Sequence, residues 1–252
     1  MKISFLASSS KANCTILESD GEVIVVDAGL PVRAFLGRLR SLSIPVDLVK
    51  AICVTHHHAD HAGKAGDLSA ALHIPIYCSS ETLEAAAEKF VAKAEAIEVF
   101  SPGEAVFIGP FAVLPVATYH TPGAVGFRII SGGRHASIFT DVPELAGPVA
   151  EALEKSHLIA IESDFSEGML NASSYVDELK QRIRLTHLSN ERLASFLQNG
   201  FTGAELHTLC LLHLSVNANL GFLAESSARA ALKRPDVKVY VAGPEILGPL
   251  DV

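Results

Sequence analysis

Residues 54–63 read VTHHHADHAG, four histidines and one aspartate in ten positions, directly after the apolar run Ala51-Ile52-Cys53. Apolar residues leading into such a cluster predict a buried strand that ends in a turn of side chains able to hold metal. A turn there can aim His56 and His58 at one cation. Asp60 and His61, opening the next helix, can reach a second cation beside it. Imidazole and carboxylate together suit zinc, manganese or iron. The zincin spacing HExxH does not fit, because the i, i+4 pair is His57 and His61 and the residue after His57 is His58, not glutamate. His57 is then the bystander of the three adjacent histidines. The competing reading is a solvated histidine-rich surface loop, which asks for no ligands elsewhere in the chain.

The rest of the chain supplies such ligands. Short β-branched runs (KISFLA, EVIVVDAG, AICVTH, IPIYCS, AVFIGPFAVLPVAT, AVGFRII, HASIFTD, HLIAIES, TLCLLHLS, VKVYVAG) predict buried strands. Between them LPVRAFLGRLRSL, AGDLSAALH, SETLEAAAEKFVAK, ELAGPVAEALEKS, NERLASFLQNG and LAESSARAALKR have helical periodicity. The helix from Asn190 is punctuated, with Ser189 or Asn190 to cap its start and Gly200 beyond its end. Alternation of strands and helices through both halves predicts mixed sheets covered by helices. Five of the strands end in His, Asp or Glu, in VIVVDAG, ICVTH, SIFTD, LIAIES and CLLHLS. Strand C-termini are where α/β folds assemble sites from distant segments.

Bulk properties bound the possibilities. The 252 residues, 49% hydrophobic and 19% charged, suit one globular domain over residues 1–252 with a substantial core. No apolar run approaches the ~18–20 residues of a spanning helix, so no membrane association is expected. The N-terminal ISFLA is too short for the ~7–15-residue core of a signal peptide, which makes a cytoplasmic protein the expectation. Cys14, Cys53, Cys78 and Cys210 form no CxxC and sit far apart, as in a reducing compartment. With no tryptophan and 6% aromatics, a broad base-stacking platform for single strands is not expected. The net charge of −8 is concentrated between Asp141 and Glu178, where nine acids face one base, Lys155. Basic clusters at Arg33, Arg38 and Arg40 and at Lys180, Arg182 and Arg184 leave a polyanionic substrate open.

The ordered set H-x-H-x-D-H after a strand, followed by His120 ending VLPVATYH, Asp141 ending SIFTD and His213 in TLCLLHLS, resembles the metallo-β-lactamase superfamily of hydrolases. That resemblance spans residues 3 to 243. It implies a four-layer αβ/βα metallo-β-lactamase sandwich, two mixed sheets face to face with helices outside. It also implies two divalent metal ions, zinc first and manganese or iron as alternatives. His56, His58 and His120 would hold one ion, Asp60, His61 and His213 the other, with Asp141 between them. Asp27 matches a family position that supports the histidine loop without binding metal; an ordinary strand-end aspartate explains it equally well. The stretches SFLASSSKANCTIL, VIVVDAGLPVRAFLGRL, AICVTHHHADH, TPGAVGFRI, LIAIES, LKQRI, HLSNE and LLHLS are similar to the small bacterial YycJ/WalJ-like branch, regarded as nucleases. Three departures touch the substrate side: Ala12 stands where that branch has glycine, Thr121-Pro122 replaces Asp-Ala, and Asp164-Phe165-Ser166 replaces Asn-His-Asp. Asn13 could line the same pocket, or simply make an Asx-turn.

A dinuclear site lowers the pKa of a bridging water from ~15.7 towards neutrality and so provides a hydroxide nucleophile. A phosphodiester's alkoxide leaving group still calls for an acid, worth ~10²–10⁴-fold. Glu162 and His187 are the candidates. The order Glu162, His187, His213 resembles that of the phosphodiesterase branch, as in ribonuclease Z, where the glutamate and first histidine serve proton donation and the second histidine binds metal. Asp60 is a further catalytic candidate. A helix-cap role is the plain alternative for His187. Only 45 residues lie between Asp141 and His187, which leaves no room for an inserted cap domain. The expectation is a phosphodiesterase or nuclease acting on small substrates or on DNA or RNA ends. A thioester, lactone or β-lactam hydrolase on the same fold, and a metal-binding protein without activity, are the alternatives. Native metal, substrate and oligomeric state are not legible. His73, His135, His157 and His207 match no motif position.

Overall fold

The computed structural model describes residues 1–86 and 93–252. In chain order the strands are β1 (Lys2–Ala7), β2 (Cys14–Ser19), β3 (Glu22–Val26), β4 (Val49–Cys53), β5 (Ile76–Ser79), β6 (Ile97–Phe100) and β7 (Val106–Ile108). They continue with β8 (Phe111–Ala117), β9 (Val125–Ser131), β10 (Arg134–Phe139), β11 (Leu158–Glu162), β12 (Thr208–Leu212), β13 (Lys238–Val241) and β14 (Leu247–Asp251). The helices are α1 (Val32–Ser41), α2 (Ala59–Ala62), α3 (Ala65–Leu72), α4 (Ser80–Ala86), α5 (Gly147–Glu154), α6 (Glu167–Ala172), α7 (Asp177–Thr186), α8 (Asn190–Gln198) and α9 (Gly221–Leu232). The helix expected over SETLEAAAEKFVAK is described to Ala86, and residues 87–92 of it lie outside the described residues.

Two seven-stranded mixed sheets form, in the orders β14-β1-β2-β3-β4-β5-β6 and β13-β12-β11-β10-β9-β8-β7. Each begins with antiparallel pairs and then turns parallel, from β3 in the first sheet and from β10 in the second. The two halves therefore share one pairing scheme without a sequence repeat. The apolar layer between the sheets is built from both, with Phe5, Leu17, Ala51 and Cys53 from the first and Phe111, Phe127, Ile138 and Cys210 from the second. Burying each phenylalanine there contributes about 1.5–3 kcal/mol. Outside the first sheet, Phe35 and Leu39 of α1 and Leu68 of α3 pack on Ile16, Val25 and Ile52. Outside the second, Val149 of α5, Leu193 of α8 and Ala228 of α9 pack on Ile159, Leu211 and Val239. This is the expected αβ/βα layering.

Residues at the strand C-termini turn abruptly. Asp27, Asp141 and His213, which follow β3, β10 and β12, all have positive φ, at 62°, 51° and 55°. A left-handed residue is costly for an ordinary side chain and marks a place where the fold forces a direction. Here it swings each side chain off its strand axis towards one edge between the sheets. Three strands have no counterpart among the runs read from the sequence: β2, β6 and β14. The last contains Gly248-Pro249, which argues against a strand, yet β14 pairs only with β1 at the sheet's edge, where proline is tolerated.

Candidate metal centre

The loop after β4 and the short α2 place His56, His58, Asp60 and His61 in the open edge between the sheets. The ligand atoms of His56, His58, His120 and Asp141 lie within 4.8 Å of one another, as do those of Asp60, His61 and His213. Every residue named from the sequence as a metal ligand is therefore brought together. Asp141 stands between the two groups: Oδ1 lies 3.5 Å from His120 Nε2, and Oδ2 lies 3.0 Å from His61 Nε2 and 3.8 Å from His213 Nε2. His57 belongs to neither group.

The unused ring nitrogens are held by the protein, and these partners assign the tautomers. His61 Nδ1 donates to Asp27 Oδ2 at 2.7 Å, and His120 Nδ1 donates to the Thr186 carbonyl at 2.8 Å. Thr55 donates its hydroxyl to Asp27 at 2.9 Å and its amide at 2.8 Å, so its oxygen is left to accept from His56 Nδ1 at 3.1 Å. The Nε2 atoms of His56, His61 and His120 are thereby turned inward with their lone pairs. His58 instead offers Nδ1, which lies 2.9 Å from His56 Nε2 and 3.4 Å from His120 Nε2.

Thr55 and Gly29 carry this geometry without having been singled out in the sequence. A Cβ on Gly29 would sit 2.0 Å from the Asp60 carbonyl oxygen and 2.8 Å from the Asn13 amide, so only glycine lets the β3 loop back onto the ligand loop. Nothing local in VVDAG announced the contact of its glycine with Asp60. Asn13, read as a possible pocket residue, is 4% exposed and turns its amide nitrogen to Ser9 (2.9 Å), His61 Nε2 (3.1 Å) and Asp60 Oδ2 (3.3 Å).

The site fits a cation on its own chemistry. Asp141 Oδ2 is buried with no aligned donor, although His61 Nε2 is only 3.0 Å away. Lone pairs facing one another at that distance are repulsive unless a positive charge lies between them. Burial, then neighbouring His61, keeps His56 neutral and well below its ordinary pKa; burial and His120 bring His58 down to about 4. Burial opposes the charge on Asp141 and Asp60, but the imidazoles around them, His213 foremost, hold both carboxyls well below the usual range. Burial likewise disfavours charge on His61 and His213, yet Asp141 chiefly draws both upward. The carboxylates thus demand positive charge that divalent metal supplies.

A second arrangement adjoins the first. Glu162 ends β11 fully buried, and His187 Nδ1 donates to its Oε1 at 2.7 Å. The other oxygen, Oε2, accepts the amides of Leu188 (2.9 Å) and Val142 (3.0 Å). His213 Nδ1 lies 3.3 Å from Oε1 as well, and the His187 and His213 rings stack at 5.6 Å. Burial lowers the His187 pKa, but Glu162 overrides it and carries the imidazole up to about 9. Asp164, one of the departures noted above, is buried beside this pair; burial and then Glu162 push it up to about 7. His187 and His213, alike as HLS in the sequence, therefore differ in surroundings: the side chain of His187 keeps 19% exposure, His213 5%.

A layered α/β sandwich with such a cluster at its edge defines a metal-dependent hydrolase. The signature described as the metallo-beta-lactamase superfamily matches residues 10–142, just over half of the sequence, and the chain belongs to that superfamily. The sequence is 28% identical over 261 residues to the exodeoxyribonuclease WalJ of Streptococcus pneumoniae serotype 2, covering 99% of this chain and 97% of that one. It is 26% identical over 238 residues to the exodeoxyribonuclease YycJ of Bacillus anthracis, covering 92% and 89%. The fold is shared with the metallo-beta-lactamase fold protein YhfI of Bacillus subtilis, with a TM-score of 0.74, 17% identity and 98% of both chains covered. Among the described residues no helix is long and apolar enough to cross a membrane.

Proposed function

We propose that the protein is a dinuclear metal-dependent phosphodiesterase, acting as a nuclease on DNA ends. The observation that carries this reading is the Glu162–His187 pair, 2.7 Å apart and directly beside the ligand cluster. Thioester hydrolysis, which expels a thiolate, can proceed with little help to the leaving group, whereas an alkoxide leaving a phosphodiester needs a proton. The names of the pneumococcal and anthracis relatives support DNA as the polymer.

Two divalent ions, zinc before manganese or iron for this mixture of imidazole and carboxylate, supply an activated water and stabilise charge on the phosphoryl group. His56, His58 and His120 would hold one and Asp60, His61 and His213 the other, with Asp141 shared. Asp27 and Thr55 orient His61 and His56, and the Thr186 carbonyl orients His120. Asp60 also faces the reacting centre, where its carboxylate can accept a proton. Glu162 fixes His187 in the tautomer that presents Nε2, and stabilises the imidazolium that donates to the departing oxygen. Asn13 holds Asp60 in place. The apolar layer shared by both sheets supports a single domain over residues 1–252. All four cysteines are buried and free, and burial raises their thiol pKa values, which supports a reducing, cytoplasmic setting.

The test is hydrolysis of bis-p-nitrophenyl phosphate and of DNA and RNA oligonucleotides by protein supplied with zinc or manganese. Turnover of bis-p-nitrophenyl phosphate and of an oligonucleotide is the expected result, with the oligonucleotide activity lost in the His187→Ala variant while metal is retained. A metal-loaded protein that cleaves none of these substrates would overturn the reading.

A further inference from the structure

We propose that the cavity walled by Tyr119 and Leu188, the sequence neighbours of His120 and His187, lodges the nucleoside adjoining the scissile phosphodiester, with Tyr119 as its stacking platform and Arg192 as the contact to the flanking phosphate. The proposal rests on the phosphodiesterase reading and names the part of the substrate that the metal centre leaves unaccounted for.

The cavity has a volume of about 630 Å³, within the ~300–1,000 Å³ of small-ligand sites. Its walls start at the loops that build the centre. Tyr119 precedes His120, Pro143 follows two residues after Asp141, and Leu188 follows His187. Tyr119 lines both this cavity and a neighbouring one that His120 lines, so a strand whose phosphate lies at the ligand cluster reaches the cavity across Tyr119. Thr118, only 2% exposed, is among the lining residues, and its hydroxyl has no partner among the described residues.

Tyr119 is the most exposed of the large hydrophobic side chains in the described residues, at 84%, and its φ is +60°. A bulky residue held left-handed to present its ring to solvent is a backbone outlier of the kind that function explains. Two neighbouring cavities also share Tyr119 as a lining residue, one of them with His120. Phe196 and Leu145 provide apolar surface on the wall of the main one. A single aromatic with an open face suffices to stack one base, and every base has such a face. The low aromatic content of the chain excludes a long platform, but not this one.

Charge agrees with the geometry. Arg192 is anchored through Nη1 to the carbonyls of Arg184 (2.9 Å) and Pro143 (3.4 Å) and forms no ion pair among the described residues. Its remaining donors are free for a phosphate. Arg184 lines the cavity too, but Glu167 neutralises it at 2.9 Å. Glu144, on the same wall, is the opposing charge that a phosphate must tolerate.

The experiment compares steady-state kinetics of metal-loaded protein on a single-stranded DNA oligonucleotide and on methyl p-nitrophenyl phosphate, a diester without a nucleoside. Tyr119→Ala is expected to raise KM for the oligonucleotide about tenfold, with a smaller effect on the small diester, and Tyr119→Phe to restore the lost affinity. Arg192→Ala should raise the oligonucleotide KM and reduce the slope of log affinity against log salt by about 0.7. Glu144→Gln should lower that KM. Equal losses of kcat on both substrates in Tyr119→Ala, with KM unmoved, would show that Tyr119 serves only to place His120, and would overturn the proposal. Wild-type cleavage of the small diester but of no oligonucleotide would overturn it while leaving the phosphodiesterase reading intact. Cleavage of neither would remove that reading and this one together.

Discussion

Glu162 Oε1 lies 2.7 Å from His187 Nδ1, while the carboxylate's other oxygen is saturated by the amides of Val142 and Leu188. The carboxylate is fixed by backbone on one side, so it can orient the imidazole and cannot follow it elsewhere. His187→Ala is therefore expected to keep its metal and its fold and to lose kcat by ~10²–10⁴-fold on diesters with alkoxide leaving groups. On p-nitrophenyl esters, whose leaving group departs without a proton, the loss should be much smaller. A loss equal across leaving groups would deny His187 the role of acid. A thioester or lactone hydrolase would instead be nearly indifferent to this substitution.

The separation of roles between His187 and His213 makes a second prediction. His213 Nε2 faces Asp60 Oδ2 at 3.4 Å inside one ligand group, whereas His187 lies beside Asp141, Glu162 and His213 with its Nδ1 engaged by Glu162 at 2.7 Å. His213→Ala should bind about half the metal of the wild type and lose activity with it. His187→Ala should bind the full amount. Elemental analysis of the two purified variants decides this, and halved metal in the His187 variant would mean the roles are exchanged.

The ligand loop was legible because its four side chains fall within a few residues, and the later ligands because the family resemblance asks for them after apolar strands. In the acid-rich stretch from Asp141 to Glu178, Asp141 and Glu162 stood out as strand-end residues, whereas nothing local announced that Asp164 is buried beside them. Partners made of backbone left no trace in the sequence, which is why the Thr186 carbonyl on His120 and the two amides on Glu162 were not foreseen. Asn13 was left between a pocket residue and an Asx-turn, and Thr55 was passed over inside a β-branched run. Both turn out to bind other polar side chains of the centre, a relationship set by loop packing between β1, β3 and β4 that no local spacing encodes.

Thr55 gives a prediction that separates orientation from ligation. Thr55→Val keeps the shape and removes the hydroxyl that joins His56 to Asp27. His56 Nδ1 then loses its acceptor and its ring is no longer locked. Metal affinity, measured by competition with a chromophoric chelator, should fall ~10–100-fold. Stability should fall by about 1–3 kcal/mol, as for a buried donor left unpaired. Unchanged affinity would mean that packing alone fixes the ring.

Far from the centre, Glu154 at the end of α5 tests the electrostatics of the fold itself. Its carboxylate accepts the Thr202 hydroxyl at 2.7 Å and the Gly203 amide at 2.9 Å, tying the helix to the segment that leads into β12. Burial raises its pKa slightly, but the hydrogen bonds from Thr202 and Gly203 prevail and leave it below the ordinary glutamate value. A carboxyl depressed by folding stabilises the native state above its unfolded pKa of ~4.3, and that contribution disappears as pH falls through the folded value. Because the group is largely open to solvent, screening limits the contribution to about 1 kcal/mol or less. Glu154→Gln should therefore melt about 1–4 °C below the wild type at pH 7. The two melting temperatures should converge as pH falls from the unfolded value through the lower folded one, where the wild-type carboxylate is itself protonated. A gap that persists or widens in acid would show that the carboxylate's charge contributes nothing, and that Glu154 holds the loop by shape alone.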